Sequence, residues 1–341
     1  MVVNVMANER STIKDIAREA GVSVSTVSRA LNNAGRVDAD TKKRIEEIVE
    51  RMGYRPSMTA QSMRTQRTRN ILLVVPDIAN PFYANMAKSL QRLVRKKNYI
   101  LTLFNTNEIL AEELRAIDTA KDISAGGIVF ASVSSHRCII DALKTVGAPA
   151  VLLNSYSACE FDTVHGELNL GTYLSTKYLI DNGHRRIAFA GGSTDSMIGF
   201  SRRQGYVNAL LEAGINLEEK LTFEMGFSED AGYKAGKYFS SLVNKPTAIC
   251  CANDIIAMGV LAALHESGIS IPEQMSVTGM DDIVYSRISS PPLTTVTNDG
   301  AEFAQNGFNL LFDRIEGRYD GEPREVILGR ELVVRDSVLK I

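Results

Sequence analysis

Short apolar runs alternate with amphipathic helical segments along most of this chain, between Ile71 and Ser267 and on to Thr278. The runs predict strands, and the segments between them carry apolar residues at helical spacing. This rhythm predicts an α/β fold in which parallel sheets are covered by helices on both faces. Two sheets of four to six strands each fit the length. Strands are expected at 71–75, 100–104, 127–130, 150–153, 187–190, 221–224, 248–251 and 275–278, and helices at 83–96, 111–123, 137–146, 170–182, 202–213, 230–242 and 255–267.

The stretch Thr12–Leu31 has a different pattern, typical of a small all-α domain. Thr12 and Asp15 form a capping-box pattern at the start of one short helix, and Gly21 predicts its left-handed end. Ser23 then predicts the N-cap of a second short helix. Two helices joined by a three-residue turn are the helix-turn-helix pattern, whose second helix enters the major groove of DNA.

A third helix, capped by Asp40 and ended by Gly53, completes a minimal three-helix core.

The same region carries an excess of positive charge. Residues 1–70 hold 13 Lys and Arg against 8 Asp and Glu, whereas the whole chain holds 38 against 40. A basic head on an acidic body indicates that only the head meets a polyanion.

These features together resemble the LacI/GalR family of bacterial transcription regulators. The helix-turn-helix segment is followed by Tyr54-Arg55-Pro56 and then by Asn80-Pro81-Phe82-Tyr83, in the family's order. The resemblance runs from about Ser11 to the end of the chain. It implies a flexible tail (1–10), a helix-turn-helix headpiece (11–55), a hinge helix with a linker (56–69) and an effector-binding and dimerisation domain (70–341). That domain is expected to have two flavodoxin-like parallel-sheet lobes, arranged as in a periplasmic binding protein: lobe 1 at about 70–164 and 294–324, lobe 2 at about 165–293 and 325–341.

The resemblance assigns DNA contacts to the headpiece and to the hinge. Arg29 on the second helix suits the O6 and N7 atoms of guanine. Val24 also continues the apolar stripe of that helix, so core packing is its alternative role. Ser57–Arg64 is expected to become a helix only when two copies meet in the minor groove, because isolated helices of two turns are marginal; a plain linker is the alternative. The family usually has Asn, Arg and Leu where this hinge has Ser57, Gln61 and the wedge residue Met63. The expected DNA-binding residues are Ser23, Val24, Ser25, Thr26, Ser28, Arg29, Tyr54, Ser57, Ala60, Met63 and Arg64.

Polar and aromatic residues follow the predicted strands, where open α/β sheets bind ligands. In similar proteins these positions line an effector pocket, and Arg202 and Asp281 would hold ring hydroxyls. The alternatives are a surface or lobe-to-lobe ion pair for each of those two, an N-cap for Asn253 and helix-entry packing for the aromatic pair. Asn298 is shorter than the Gln of many relatives. Ile198, with Ser196 nearby, departs from purine-sensing relatives, which favours a sugar, sugar acid or sugar phosphate. The expected effector-binding residues are Phe82, Tyr83, Asn154, Arg202, Phe227, Asn253, Asp281 and Asn298.

Motifs for catalysis, cofactors and metals are missing from the sequence. It has no GxSxG, HExxH, Walker A or dinucleotide GxGxxG pattern. The cysteines lack metal-site spacing, and the four scattered histidines are expected on the surface or at helix ends. We therefore expect no enzyme, no cofactor and no metal site.

The sequence thus predicts a repressor that binds palindromic operator DNA as a homodimer and responds to a small carbohydrate-like effector. One alternative is a global catabolite regulator with a phosphoprotein co-effector. Another is a sugar-binding transport protein, which would need an export signal and no headpiece. Met1–Arg10 does not resemble a secretory signal, and no run of about eighteen apolar residues occurs. We expect a cytoplasmic, nucleoid-associated protein with no membrane span.

Overall fold

The structure, a computed structural model, describes residues 12–31, 37–54, 68–131, 136–154, 160–194 and 196–341. The chain divides into two compact units, Met1–Thr68 and Arg69–Ile341. In the described residues, no helix is long and apolar enough to cross a membrane.

The described part of the first unit contains α1 (Ile13–Ala20), α2 (Val24–Leu31) and α3 (Ala39–Arg51). The predicted caps are present around the turn. Asp15 accepts hydrogen bonds from the backbone N–H of Thr12 at 2.9 Å and from its hydroxyl at 2.6 Å. Gly21 has φ 64°, and Ser23 Oγ accepts from the N–H of Thr26 at 3.2 Å. The helix-turn-helix prediction is confirmed.

The three helices enclose a small core of their own. The N-cap of α3 is Asp38 and not the predicted Asp40, because the Asp38 carboxylate accepts from the N–H of Thr41 at 3.1 Å. The side chains that fill the core are Ile16, Ala17, Ala20, Val27, Ala30, Ile45 and Ile48.

The second unit is built from twelve strands and nine helices in its described residues. The strands are β1 (Asn70–Val75), β2 (Ile100–Asn105), β3 (Gly127–Ala131), β4 (Ala150–Leu153), β5 (Asp162–Gly166), β6 (Ile187–Gly191), β7 (Thr222–Glu224), β8 (Ala248–Cys251), β9 (Ser276–Thr278), β10 (Thr295–Val296), β11 (Glu325–Leu328) and β12 (Leu332–Val333). The α-helices are α4 (Pro81–Lys96), α5 (Leu110–Asp122), α6 (Arg137–Lys144), α7 (Leu170–Asp181), α8 (Met197–Glu212), α9 (Glu229–Ser241), α10 (Asp254–Glu266), α11 (Val284–Ile288) and α12 (Gly300–Ile315), and Glu219–Leu221 forms a 3-10 turn.

Two parallel sheets organise this unit, one in each lobe. The first lobe has six strands in the order β11-β5-β4-β3-β1-β2, and the second has four in the order β7-β6-β8-β9. Helices cover both faces: Leu73 of β1 packs in one buried cluster with α4 and α12, and Leu72 packs in another with α5 and α6. The predicted fold class, a helical headpiece plus two parallel-sheet lobes, is confirmed.

The chain crosses between the lobes three times, and we call residues 167–169, 297–299 and 329–331 the crossing segments. The short strands β10 and β12 pair antiparallel beside the second and third of them. The predicted lobe boundaries are wrong near the C-terminus, because β11 pairs with β5 in the sheet of the first lobe. Thr294 bridges to Thr278 of the second lobe, so the first lobe does not resume at 294.

Two histidines lie in the interior. His165 lies within β5, contrary to the prediction of a surface or helix-end position, whereas His184 follows the end of α7, where its N–H donates to the Leu179 carbonyl oxygen at 3.1 Å. His165 and His184 are each only 1% exposed. His165 Nε2 lies 2.7 Å from Glu325 Oε1, which joins β5 to β11. His184 contacts Thr247 Oγ1 at 2.9 Å and the Leu339 carbonyl oxygen at 3.0 Å. Because burial disfavours the charged ring, the pKa of His184 is lowered.

Asp162, the first residue of β5, links that strand to α12 and to the residue before β11. Its fully buried carboxylate accepts from Arg314 on α12 at 2.7 and 2.8 Å. It also accepts from the backbone and side chain of Arg324, just before β11, at 2.7 and 2.9 Å. Burial by itself raises the pKa of Asp162, but these hydrogen bonds outweigh burial and lower it overall.

We expect Asp162→Asn to lower the free energy of unfolding by about 3–5 kcal/mol, because two guanidinium groups lose a buried partner. Urea denaturation measures the loss. The matched control is Asp118→Asn, since Asp118 forms an exposed pair with Lys121 at 3.0 Å and is expected to cost under about 1 kcal/mol. The stabilisation is present above the unfolded carboxyl pKa of about 3.9 and is lost as pH falls through the lower folded pKa. Equal losses in the two variants would contradict this role for Asp162.

Candidate functional site

A cavity of about 350 Å³ lies between the two lobes, beyond the carboxyl ends of their strands. Residues that follow the carboxyl ends of strands in both sheets line it, as expected for open α/β sheets. All eight residues predicted to bind an effector line this cavity. Its described lining consists of Pro76, Asp77, Asn80, Phe82, Tyr83, Asn107, Glu108, Asn154, Ile198, Arg202, Met225, Gly226, Phe227, Ser228, Asn253, Asp281 and Asn298.

Arg202 brings a nearly buried guanidinium group to the second-lobe wall. The side chain lies in the second turn of α8, which begins at Met197 and so starts earlier than predicted. Nη1 donates to the Ala252 carbonyl oxygen at 2.7 Å, and the guanidinium lies 5.5 Å from the ring centroid of Phe227. Its buried Nε has no hydrogen-bond partner among the described residues. Since buried polar groups are normally paired, Arg202 has a donor left for a ligand.

Asp281 faces Arg202 from the loop after β9. Its Oδ1 lies 3.9 Å from Arg202 Nη2 and accepts a hydrogen bond from Asn298 Nδ2 at 2.7 Å. The backbone of Asp281 has φ 117°, an unfavourable conformation for a residue with a side chain. Burial raises the pKa of Asp281, and the opposing effects of Arg202, Asn298 and Arg330 only partly offset it. Arg202 and Asp281 form a nearly buried ion pair within the second lobe, which is neither the surface pair nor the lobe-to-lobe pair given as the alternative, and both side chains line the cavity.

The amide of Asn298 is occupied at both ends. Its nitrogen donates to Asp281, and its oxygen accepts from Arg330 Nη1. Asn298 thus holds the carboxylate of Asp281 in place, a role the sequence did not predict. Arg330 was not predicted, because it lies two residues after β11 in a part of the chain without a recognisable motif and meets its partners only in the tertiary structure.

Asn253 and the aromatic pair combine structural and lining roles. Asn253 Oδ1 accepts from the N–H of Ile256 at 2.8 Å, so the N-cap alternative is correct, and Nδ2 donates to the Phe227 carbonyl oxygen at 3.3 Å. Phe82 and Tyr83 are almost buried, with ring centroids 4.9 Å apart at 77°. Asn154, the residue after β4, is buried and has φ 57°, so the backbone turns at the end of that strand, where Asn154 lines the cavity.

Two acidic residues at the cavity were not predicted. Asp77 follows β1, and Glu108 follows β2 with φ 61°. The pKa of Glu108 is raised by its enclosure and by repulsion from Asp77 and Glu113. With Asp281, three carboxyl groups line the described wall, against the single guanidinium of Arg202.

Behind the cavity, Asp254 forms a fully buried polar cluster at the start of α10. Its carboxylate accepts from Ser286 Oγ and Thr295 Oγ1, each at 2.6 Å, and from the N–H of Ile283 at 3.0 Å. Burial and repulsion from Asp281 raise the pKa of Asp254 to about 7, despite these three donors. The cluster fixes the loop that carries Asp281 against β10.

The exposed face of α2 carries the predicted base-reading residues. Val24 is 41% exposed and lies outside the headpiece core, so its alternative role in the core is wrong. Arg29 is exposed, and its Nε donates to the Ser25 carbonyl oxygen at 3.3 Å. Ser23 and Thr26 join their hydroxyls at 2.8 Å at the start of the helix, and Ser28 is half-buried.

The remaining predicted DNA contacts divide into two groups. Tyr54 is half-buried against the headpiece core, and this burial raises the pKa of its phenol. The hinge residues Ser57, Ala60, Met63 and Arg64 lie outside the described residues.

Each of the two units contains residues that match the model of a known protein family. Residues 12–57 match the model of bacterial regulatory proteins of the lacI family, and residues 176–338 match a periplasmic binding protein-like domain. The chain is 33% identical over 333 residues to the HTH-type transcriptional repressor PurR of Vibrio vulnificus (strain CMCP6), covering 97% of this chain and 99% of PurR.

Two solved structures agree over almost the whole length. A complex of the transcriptional regulator CelR with cellobiose is 28% identical, with a TM-score of 0.72, covering 96% of this chain and 100% of that one. A lac repressor dimer bound to operator and the anti-inducer ONPF has a TM-score of 0.86 at 23% identity, with 97% and 100% covered, and supports the fold alone. The chain therefore belongs to the LacI family of bacterial regulatory proteins and is a DNA-binding transcription regulator.

Proposed function

We propose that this protein is a repressor that binds a palindromic operator as a homodimer and changes its operator affinity when a small carbohydrate-like effector occupies the cavity between its lobes. The observation that carries this proposal is the convergence of the eight predicted side chains on one cavity where the chain crosses between lobes. On operator DNA the protein would act at the nucleoid, in the cytoplasm.

The cavity suits an allosteric effector because both lobes contribute to its wall. Tyr83 and Asn154 come from the first lobe, and Arg202 and Asp281 come from the second. A ligand that contacts both walls has a different affinity for each lobe angle, and that difference is what drives a conformational equilibrium. In this proposal the lobe angle sets the spacing of the two hinge helices in the dimer.

The charge of the wall favours a neutral polyhydroxylated effector. Asp77 and Glu108 have no Lys or Arg beside them in the described lining, and the charge of Arg202 is shared with Asp281. A sugar acid or sugar phosphate would add a negative charge where carboxylates already repel each other. Of the three effector types predicted from sequence, the neutral sugar is therefore the one we propose. The CelR–cellobiose complex supports this choice by likeness only.

The alternatives have less support. A transport protein would not carry the helix-turn-helix of the first unit. For a phosphoprotein co-effector, the described contacts offer no observation that favours it over a small molecule.

We expect Arg29→Ala to weaken specific operator binding by about 1–3 kcal/mol, because its guanidinium is positioned to read a guanine edge. Footprinting titration measures the change, and gel filtration checks that assembly is unaffected. Arg18→Ala is the matched control, since Arg18 is an exposed arginine of α1 that pairs with Asp15 at 3.4 Å. Wild-type operator affinity in Arg29→Ala would show that this helix does not read bases through Arg29.

We expect Arg202→Ala and Asp281→Ala to bind operator but to lose the response to effector. Each variant leaves a hydroxyl of the bound effector buried without its hydrogen-bond partner. This loss costs about 1–3 kcal/mol of effector binding, and more where a charged group is left unpaired. Calorimetry with ribose, glucose and cellobiose measures the loss. Arg203→Ala is the control, because Arg203 pairs with Glu219 at 3.0 Å outside the cavity. Unchanged sugar affinity in both cavity variants would place the effector elsewhere.

The carboxylates of the cavity wall predict a ranking of ligand affinities. Glucose should bind more tightly than glucuronate or glucose 6-phosphate. The double variant Asp77→Asn/Glu108→Gln should reduce the difference in affinity between glucose and these two anions. Thermal shift measures the ranking, because a ligand that binds the native state raises apparent stability. Tighter binding of either anion than of glucose by the wild-type protein would refute the preference.

A further inference from the structure

Arg330 places a guanidinium group where the three crossing segments meet. The side chain belongs to the third segment and is only 9% exposed. Its Nη1 donates to the Thr297 carbonyl oxygen at 3.3 Å and to Asn298 Oδ1, both in the second segment. The guanidinium also lies 5.8 Å from the ring centroid of Phe303 on α12.

The last residue of β5, which leads into the first segment, lies against the same group. Gly166, the last residue of β5, directly precedes that segment, and a Cβ placed there would lie 2.1 Å from Arg330 Nη2. The guanidinium therefore rests against the bare backbone of Gly166. Arg330 thus belongs to the third crossing segment, bonds the second, and rests against the residue that leads into the first.

The same group reaches the cavity wall in one further step. Asn298 accepts from Arg330 and donates to Asp281, whose carboxylate faces Arg202. Burying a guanidinium away from water requires hydrogen bonds and a compensating charge. Asp281 provides that charge, so the lobe junction and the cavity share one polar network.

We propose that Arg330 is a positioning residue that couples the lobe angle to the state of the cavity. Through its fork of donors it holds the second and third crossing segments together, and through Asn298 it holds Asp281 in the geometry that faces an effector. A change of lobe angle must shift these contacts of Arg330. Conversely, a ligand that binds Asp281 must alter the hydrogen bonds that connect Asp281 to Arg330 through Asn298. This inference rests on the proposed function for its consequence, although not for its geometry.

Hydrogen exchange of the effector-free full-length protein tests the geometry. Arg330→Met keeps the length of the side chain but removes its charge and donors. We expect amide exchange to speed up about tenfold or more in the three crossing segments, while the core strands β1 and β8 stay unchanged. Gly166→Ala, which displaces the guanidinium, should give the same pattern, and Arg330→Lys should restore part of the protection.

Arg186→Met is the matched control. Arg186 is a half-buried arginine at the amino end of β6 that donates to the Asn244 carbonyl oxygen at 3.0 and 3.2 Å, within the second lobe. Arg186→Met should speed up amide exchange near residue 186 in the second lobe and leave exchange in the crossing segments unchanged. Unchanged exchange in Arg330→Met, or a uniform increase across both lobes, would overturn the proposal.

A second measurement tests the coupling. Operator affinity is titrated with and without ribose, glucose or cellobiose, and the ratio of the two affinities is compared between variants. Arg330→Met should change that ratio by about 2- to 30-fold, and Arg186→Met should not. If none of these sugars alters the operator affinity of the wild-type protein, the proposed effector is wrong, whereas the exchange comparison still decides the role of Arg330.

Discussion

The buried carboxylate of Asp281 must be compensated at the junction of two lobes, and much of the surrounding geometry meets that requirement. An unpaired buried charge costs several kcal/mol, so partners have to be supplied from nearby chain segments. Here they come from three separate places: Arg202 on α8, Asn298 in the second crossing segment and Arg330 in the third. Because the last two belong to the passages between lobes, any rearrangement of the junction alters how this charge is balanced.

The parallel topology explains why so much of the site could be predicted. In a parallel sheet the carboxyl ends of all strands meet at one edge, so a residue that follows a predicted strand is already assigned to that edge. Asn154, Asn253 and Asp281 each follow a strand with a strong apolar pattern, and all three line the cavity. The periodicity of β-rich runs and helices was enough to predict parallel sheets covered by helices, whereas the two-lobe arrangement followed from the family resemblance. Capping residues located α1 and α2 but placed the start of α3 two residues too late.

What the sequence did not predict has physical causes. β5 is interrupted by polar residues such as His165, whose burial depends on Glu325 across the sheet. β11 carries the apolar run Val326-Ile327-Leu328, but it is an edge strand of only four residues, and it joins the sheet by pairing with β5, which is remote in sequence. α8 begins at Met197 because Ser196 caps it, accepting from the N–H of Gly199 at 2.9 Å, a local bond without apolar periodicity. Arg330 acquires its partners only through tertiary structure, since Asp281 and Gly166 are remote in sequence.

The discontinuous path of the chain also bears on how the protein is made. The six-stranded sheet needs β11, which the ribosome adds only after β6 to β10 of the second lobe. The second lobe in turn needs Ser337, whose hydroxyl donates to the Val277 carbonyl oxygen at 2.6 Å and whose carbonyl accepts from the Val277 N–H. Neither lobe can therefore be completed during translation before residues 325–337 are synthesised, whereas the headpiece has its own core from the start. A product terminated before these residues would carry the helix-turn-helix of the first unit joined to two incomplete lobes, so the headpiece would be present without the complete cavity-bearing unit.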